Sequence, residues 1–159
     1  MPILNYTTDV PAERTIAQVI GLLARKGAQS ITQDFFDDGR VKAVRFLLKV
    51  GGIPTCFSLP VNIDGVAGVL MTEKPYSYRA SHITRDQWIA KQREAAERIS
   101  WRILKDWIEA QMALIESGQA EVGQVFMPYA QQRDGRTMYE FWLEANQKQI
   151  GAGQTEERA

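Results

Sequence analysis

Residues 30–59 read SITQDFFDDGRVKAVRFLLKVGGIPTCFSL, and this stretch decides the fold. Its apolar residues recur at every second position, the period of a strand whose side chains alternate between two faces. Three strands are predicted, at Ser30–Phe36, Val41–Val50 and Ile53–Leu59. Asp37-Asp38-Gly39-Arg40 and Gly51-Gly52 supply residues that tolerate positive φ, so both links read as tight hairpins and the strands as an antiparallel meander. In the middle strand Val44, Phe46, Leu48 and Val50 share one face, and Ala43, Arg45, Leu47 and Lys49 share the other. One face is core and the other half wet. Pro54 cannot donate to a ladder, which puts the third strand at an edge or gives it an irregular start.

Upstream, the period changes to that of a helix. Ile16, Val19, Ile20 and Leu23 form one apolar stripe between Pro11 and about Lys26, with Asp9 placed to cap its start and Gly27 to end it. Ile3-Leu4-Asn5-Tyr6 reads as a short fourth strand. Downstream, Asn62 caps a short helix to Leu70 whose Ile63, Val66, Val69 and Leu70 face inward. Thr84 and Gln87 then form a capping-box pair, and no proline or glycine occurs from Arg85 to Ser117, so one long helix is expected. Between Ile99 and Ile115 its apolar residues cover most of the circumference, which requires burial on more than one side. A helical turn at Glu121–Met127 and a last helix at Met138–Asn146, capped by Thr137, follow.

The fold class is therefore α+β: a three- to four-stranded antiparallel sheet with packed helices, followed by a long helix and a C-terminal helical layer. Residues 1–74 form the sheet region, 75–84 a loop, 85–146 a helical region packed on the sheet as part of one domain, and 147–159 a frayed tail.

Composition narrows the function. The chain has 159 residues, 45% of them hydrophobic and 24% charged, which excludes general disorder. Nineteen basic and nineteen acidic side chains leave no global field to hold a polyanion or an acidic membrane. One cysteine, Cys56, and one histidine, His82, permit no internal disulfide and no metal cage, and point to a reducing compartment. No apolar run reaches the roughly 18 to 20 residues of a membrane span, and Met1-Pro2-Ile3-Leu4-Asn5 lacks the basic start of a secretion signal. The expected location is the cytosol, with no membrane partner and no cofactor.

The neutral total hides an asymmetry. Residues 1–105 hold 15 basic and 10 acidic side chains, whereas residues 106–159 hold 4 and 9. A nucleic-acid surface, DNA or RNA, would then lie on the sheet or on the early turns of the long helix. The candidates are Lys74, Tyr76, Tyr78, Arg79, Arg85, Lys91, Arg98 and Arg102: phenol rings stack on unpaired bases while cations neutralise phosphates. Two plainer readings stand beside this one. The tyrosines can plug the core, and Glu94, Asp106 and Glu109, each four residues from a cation, can turn the row Lys91, Arg98, Arg102 and Lys105 into a salt-bridged face.

Trp88, Trp101, Trp107 and Trp142 all fall on predicted helices and read mainly as core. Trp101 and Trp107 cannot share one narrow stripe, so Trp88, Trp101 and Trp107 are also candidates for an interface with a second copy or with a host protein. No constellation for catalysis emerges. His82 lies near Ser77, Ser81 and Asp86 without a nucleophile elbow, and Asp34, Asp37 and Asp38 sit in a turn where turn formation accounts for them. Cys56 reads as a small buried apolar side chain.

The order helix, three-stranded meander, helix over residues 11–72 resembles the double-stranded RNA-binding domain in topology, with Pro60-Val61-Asn62-Ile63-Asp64 standing where that family carries a basic cluster. Thr15-Ile16-Ala17, Lys26-Gly27-Ala28, Phe57-Ser58-Leu59-Pro60, the segment Trp101-Arg102-Ile103-Leu104-Lys105-Asp106-Trp107-Ile108-Glu109-Ala110-Gln111, Met127-Pro128-Tyr129 and Thr137-Met138-Tyr139-Glu140 are similar to a family of small uncharacterised prophage proteins. That resemblance implies a phage or mobile-element origin, and with no catalytic constellation in the sequence a non-enzymatic accessory role is expected. Such a role is either handling nucleic acid or binding a host defence or replication protein to block or redirect it.

Overall fold

A computed structural model describes residues 1–156. The meander forms as read: β1 (Ser30–Phe35), β2 (Val41–Val50) and β3 (Ile53–Pro60) pair antiparallel in that order. Phe46 lies opposite Ile31 on one side and Phe57 on the other, and Pro54 sits on the edge strand opposite Lys49. Gly51 and Gly52 take φ of +55° and +82°, the positive values a two-residue hairpin requires. Val44, Phe46 and Leu48 face the core with Phe57 and Leu59. The other face carries Thr32, Asp34, Arg45, Leu47, Cys56 and Ser58 and stays half open, with Arg45 paired to Asp34 at 2.7 Å. Cys56 is thus only half-buried, its Sγ 3.5 Å from Gln131 Oε1, because it points away from the core face.

Helix α1 (Ala12–Arg25) lies against β1 and against the long helix α4, which runs from Arg85 to Glu116. Trp101 and Ile108 of α4 and Val19 and Leu23 of α1 are fully enclosed between them. The cap of α1 is Pro11 and not Asp9: the amides of Arg14 and Thr15 donate to the Pro11 carbonyl, and no side chain caps the helix. Residues 3–6 form a turn and no strand. Asn5 adopts φ +63°, which breaks an extended run, and its side chain donates to Asp106 at 2.8 Å, fastening the N-terminal segment along α4.

Helix α2 (Ile63–Glu73), capped by Asn62 through a 2.9 Å bond from the Gly65 amide, packs on α4. Ile63 and Ala67 meet Ala96 in a second, smaller core that Phe36, Val66 and Leu70 border. Ala67 takes the inward place expected of Val69, which is exposed, since positions one, four, five and eight of a helix share a face. Helix α4 is therefore buried on two sides, as its apolar circumference demands. The connection at 75–84 contains one helical turn, α3 (Tyr78–Ser81).

The C-terminal part comprises α5 (Val122–Phe126), a 3-10 turn at Met127–Tyr129, α6 (Met138–Ala145) and α7 (Gln147–Glu156). Helix α7 occupies the stretch expected to fray; residues 157–159 lie outside the described ones. Between the 3-10 turn and α6 the chain adds a small hairpin to the β3 edge: the Gln131 amide donates to the Cys56 carbonyl at 2.8 Å, and Gln131 bridges Thr137. Its turn, Asp134-Gly135-Arg136, repeats the β1–β2 turn Asp38-Gly39-Arg40. In both, the carboxylate accepts the arginine backbone N–H (3.0 and 3.1 Å) and its Nε (2.7 and 2.8 Å), and these bonds hold the carboxyl below its ordinary range.

Three enclosed side-chain polar atoms, Thr15 Oγ1, Arg45 Nε and Trp101 Nε1, have no hydrogen-bond partner among the described residues. Replacing Thr15 by valine keeps the shape and removes an unpaired hydroxyl. Thr15→Val is expected to raise the unfolding free energy by about 1 kcal/mol in urea denaturation, and a loss of stability would mean that the hydroxyl is bonded.

Candidate binding surfaces

The eight residues read as a nucleic-acid surface fall into two groups. Tyr76, Arg98 and Arg102 are engaged inside the chain. The Tyr76 ring lies 5.6 Å from Trp88 and its hydroxyl donates to the Ile83 carbonyl at 2.8 Å, pinning the connection to the start of α4. Arg98 pairs with Glu94 at 3.7 Å and reaches the Thr8 carbonyl, and Arg102 donates to Gln18 Oε1 of α1 at 2.8 Å. Lys105 is held by Glu109 at 2.6 Å. The cationic edge of α4 therefore clamps α1 and the N-terminal segment, and is not one open strip.

An acidic saddle interrupts it further. Asp9, Glu13, Glu94 and Glu97 line a cleft around Arg98. Burial raises the Glu97 carboxyl above its ordinary range, with Arg40 at 3.7 Å opposing and Glu13 adding to the rise. A carboxyl whose folded pKa exceeds its unfolded one binds more protons when folded, so its contribution to stability falls as pH rises through that window. Glu97→Gln is expected to stabilise the fold at pH 7 and to leave it unchanged at pH 3, where both states are protonated. Equal effects at both pH values in thermal melts would contradict this.

The remaining five, Lys74, Tyr78, Arg79, Arg85 and Lys91, are exposed, and among the described residues no carboxylate pairs with these cations. The start of α2 meets α4 near Arg93 and Ala96, through the 2.7 Å Asp64–Arg93 pair, and Tyr76, three residues past the end of α2, meets α4 at Trp88. Helix α2 therefore runs back along α4 toward its start; Lys74, Tyr78, Arg79 and Arg85 lie at the tip where the connection joins the two helices, and Lys91 lies roughly two turns further along α4.

Of the interface candidates, Trp101 is fully buried and has no surface to offer a partner. Trp107 is half-buried, edge-on to Phe126 and Tyr129, and Trp88 is half-buried beside Tyr76. Trp101 and Trp107 belong to the chain's own core, and Trp88 packs on the connection through Tyr76.

The exposed aromatic surface lies elsewhere, on α6. Tyr139, Phe141 and Trp142 are 54%, 49% and 54% exposed, and no residue of this helix is fully buried. The helix is nonetheless well made. Thr137 and Glu140 form a complete capping box, the Met138 amide donates to the Ala130 carbonyl at 2.8 Å, and Met138 docks on the main core. Arg136 lies 5.6 Å over the Phe141 ring while it pairs with Asp134 and Glu144, so the second hairpin fixes the aromatic face from behind. Trp142, read as core, is a surface residue. Its signal in the sequence is breadth: Met138, Tyr139, Phe141, Trp142 and Leu143 spread over more than half the circumference of an eight-residue helix, more than the adjacent 3-10 turn can cover.

Among the described residues no group of histidine, cysteine and carboxylates could hold a metal ion, and no helix is long and apolar enough to cross a membrane. No protein family, curated protein or solved structure matches the chain.

Proposed function

We propose that this protein is a non-enzymatic accessory factor that acts by docking α6 into a groove on another protein. The observation that carries this reading is a rigidly capped helix with three half-exposed aromatic rings. Aromatic side chains are the commonest anchors of protein interfaces, and a patch this apolar is costly to leave in water. Two copies packed back to back through α6 would each cover about 300 Å² of ring surface, half of what three aromatics present, against about 800 Å² per partner in a stable interface. The occupant is therefore a protein with an apolar groove that encloses the helix, not a second copy.

The test uses purified components. A partner recovered from nuclease-treated host lysate is purified and titrated against the wild type, against Tyr139→Ser/Phe141→Ser/Trp142→Ser and against Arg79→Ala/Arg85→Ala. Loss of binding in the first variant alone is expected. Equal binding by all three proteins, or concentration-dependent dimers of the wild type in sedimentation, would overturn the reading.

A second reading, binding of a single nucleic-acid strand, is favoured by the unpaired, exposed cations Lys74, Arg79, Arg85 and Lys91 and the exposed Tyr78 ring. Four phosphate contacts on a single strand give a slope of log affinity against log salt of about −3. A fluorescence titration with single-stranded DNA and RNA should reach that slope and no steeper one, and Arg79→Ala/Arg85→Ala should halve it. Salt-insensitive binding, or none at micromolar protein, removes this reading.

A further inference from the structure

We infer that the cleft between α1 and α4 is a binding site for phosphoryl groups, separate from both surfaces described above. The cleft, of about 500 Å³, is lined by Arg14, Gln18, Gly21 and Arg25 of α1 and by Lys105 and Glu109 of α4. Three cations face one carboxylate, and that carboxylate is already taken up by Lys105 at 2.6 Å. Among the described residues the side chains of Arg14 and Arg25 have no ion pair or hydrogen-bonded partner, although both line the cleft. Their guanidinium groups present forked N–H donors that match phosphoryl oxygens. Gln18 Oε1 accepts from Arg102 at 2.8 Å, which leaves the other end of its amide, a donor, as its free polar group. The cleft therefore presents an excess of donors and positive charge, and an acceptor-rich anion satisfies both.

Gly21 gives the site its shape. A Cβ at this position would lie 3.3 Å from Arg25 Nη1, so the Arg25 side chain lies back along the helix over the space the glycine leaves. Its guanidinium thus lies over residue 21, and residues 14 and 21 stand about 10 Å apart along the axis at 1.5 Å per residue. Two guanidinium groups rooted on different turns of one wall suit linked phosphoryl groups. The acidic saddle around Arg98 separates the cleft from the α2–α4 tip, so the two cationic regions act independently.

The linked phosphoryl groups can belong to a free oligophosphate or to a nucleic-acid backbone, and the test distinguishes the two. Sodium tripolyphosphate and a ten-residue oligothymidylate are titrated calorimetrically at matched ionic strength, with sodium sulfate as control. The probes are the wild type, Arg14→Ala/Arg25→Ala, Gly21→Ala and the tip variant Arg79→Ala/Arg85→Ala. At least a tenfold loss of affinity in the Arg14/Arg25 variant, with a smaller loss in Gly21→Ala and none in the tip variant, is expected. Tripolyphosphate binding identifies a free ligand as sufficient, and oligothymidylate binding alone identifies the nucleic-acid backbone as the source. Failure of both probes, binding equalled by sulfate, or equal losses in cleft and tip variants would overturn the inference. None of these results depends on whether α6 docks a protein.

Discussion

Trp101→Ala is expected to lower the unfolding free energy by about 3–5 kcal/mol, a large part of what a domain of this size possesses. The indole is the largest fully enclosed side chain and lies where α1, α4 and the sheet meet, so its removal leaves a cavity bounded by three elements that cannot all close in. Trp101→Phe should cost far less. It keeps most of the ring volume and discards an N–H that is enclosed without a partner, a group that itself costs about 1–3 kcal/mol to desolvate. Urea denaturation of the two variants separates these terms. A cost below 1 kcal/mol for Trp101→Ala would mean that this tryptophan is not enclosed.

The same chemical change on α6 should behave in the opposite way. Trp142→Ala removes a ring that is half in water already, so a stability change below about 1 kcal/mol is expected. Its effect should appear in binding. A tryptophan at the centre of an interface is typically worth about 2–4 kcal/mol on truncation, which corresponds to a loss of affinity of roughly 30-fold to 1,000-fold for the groove-bearing partner. Phe141→Ala should follow with a smaller loss, since Arg136 already covers one face of its ring. The pair Trp101 and Trp142 thus separates a tryptophan that folds the chain from one that serves its partner.

Much of this architecture is legible in the residues themselves. The strand boundaries, both hairpin turns and the capping boxes at Thr84 and Thr137 depend on neighbours within a few positions, and local chemistry is enough to read them. What lay beyond reach depends on tertiary placement. Residues 3–6 have the apolar content of a strand, yet Asn5 turns the chain so that its amide can reach Asp106, a hundred residues away. The cationic edge of α4 was legible as a row, and so was its balance of carboxylates. That Arg102 would bond to Gln18 and Arg98 to the Thr8 carbonyl could not be known until α1 was placed against it.

The tryptophans show the same limit. All four sit at helical spacing among apolar residues, and the pattern alone assigns all four to the core. Trp101 has the sheet and α1 to cover it; Trp142 stands on a helix that meets one 3-10 turn and the short helix α7, and its ring remains half in water. Arg14 and Arg25 carry no signal in the sequence, because α1 reads as a helix with an ordinary polar face. Their meaning comes from α4 lying alongside and from Gly21 leaving room between them.

Hydroxyl-radical footprinting of the purified chain and of the chain inside the cells that make it bears most directly on α6. Tyr139, Phe141 and Trp142 should be oxidised readily in the purified protein and protected in the cell, with Trp101 protected in both. Aromatics of α6 that oxidise equally in both settings, or that are shielded already in the purified monomer, would contradict the account.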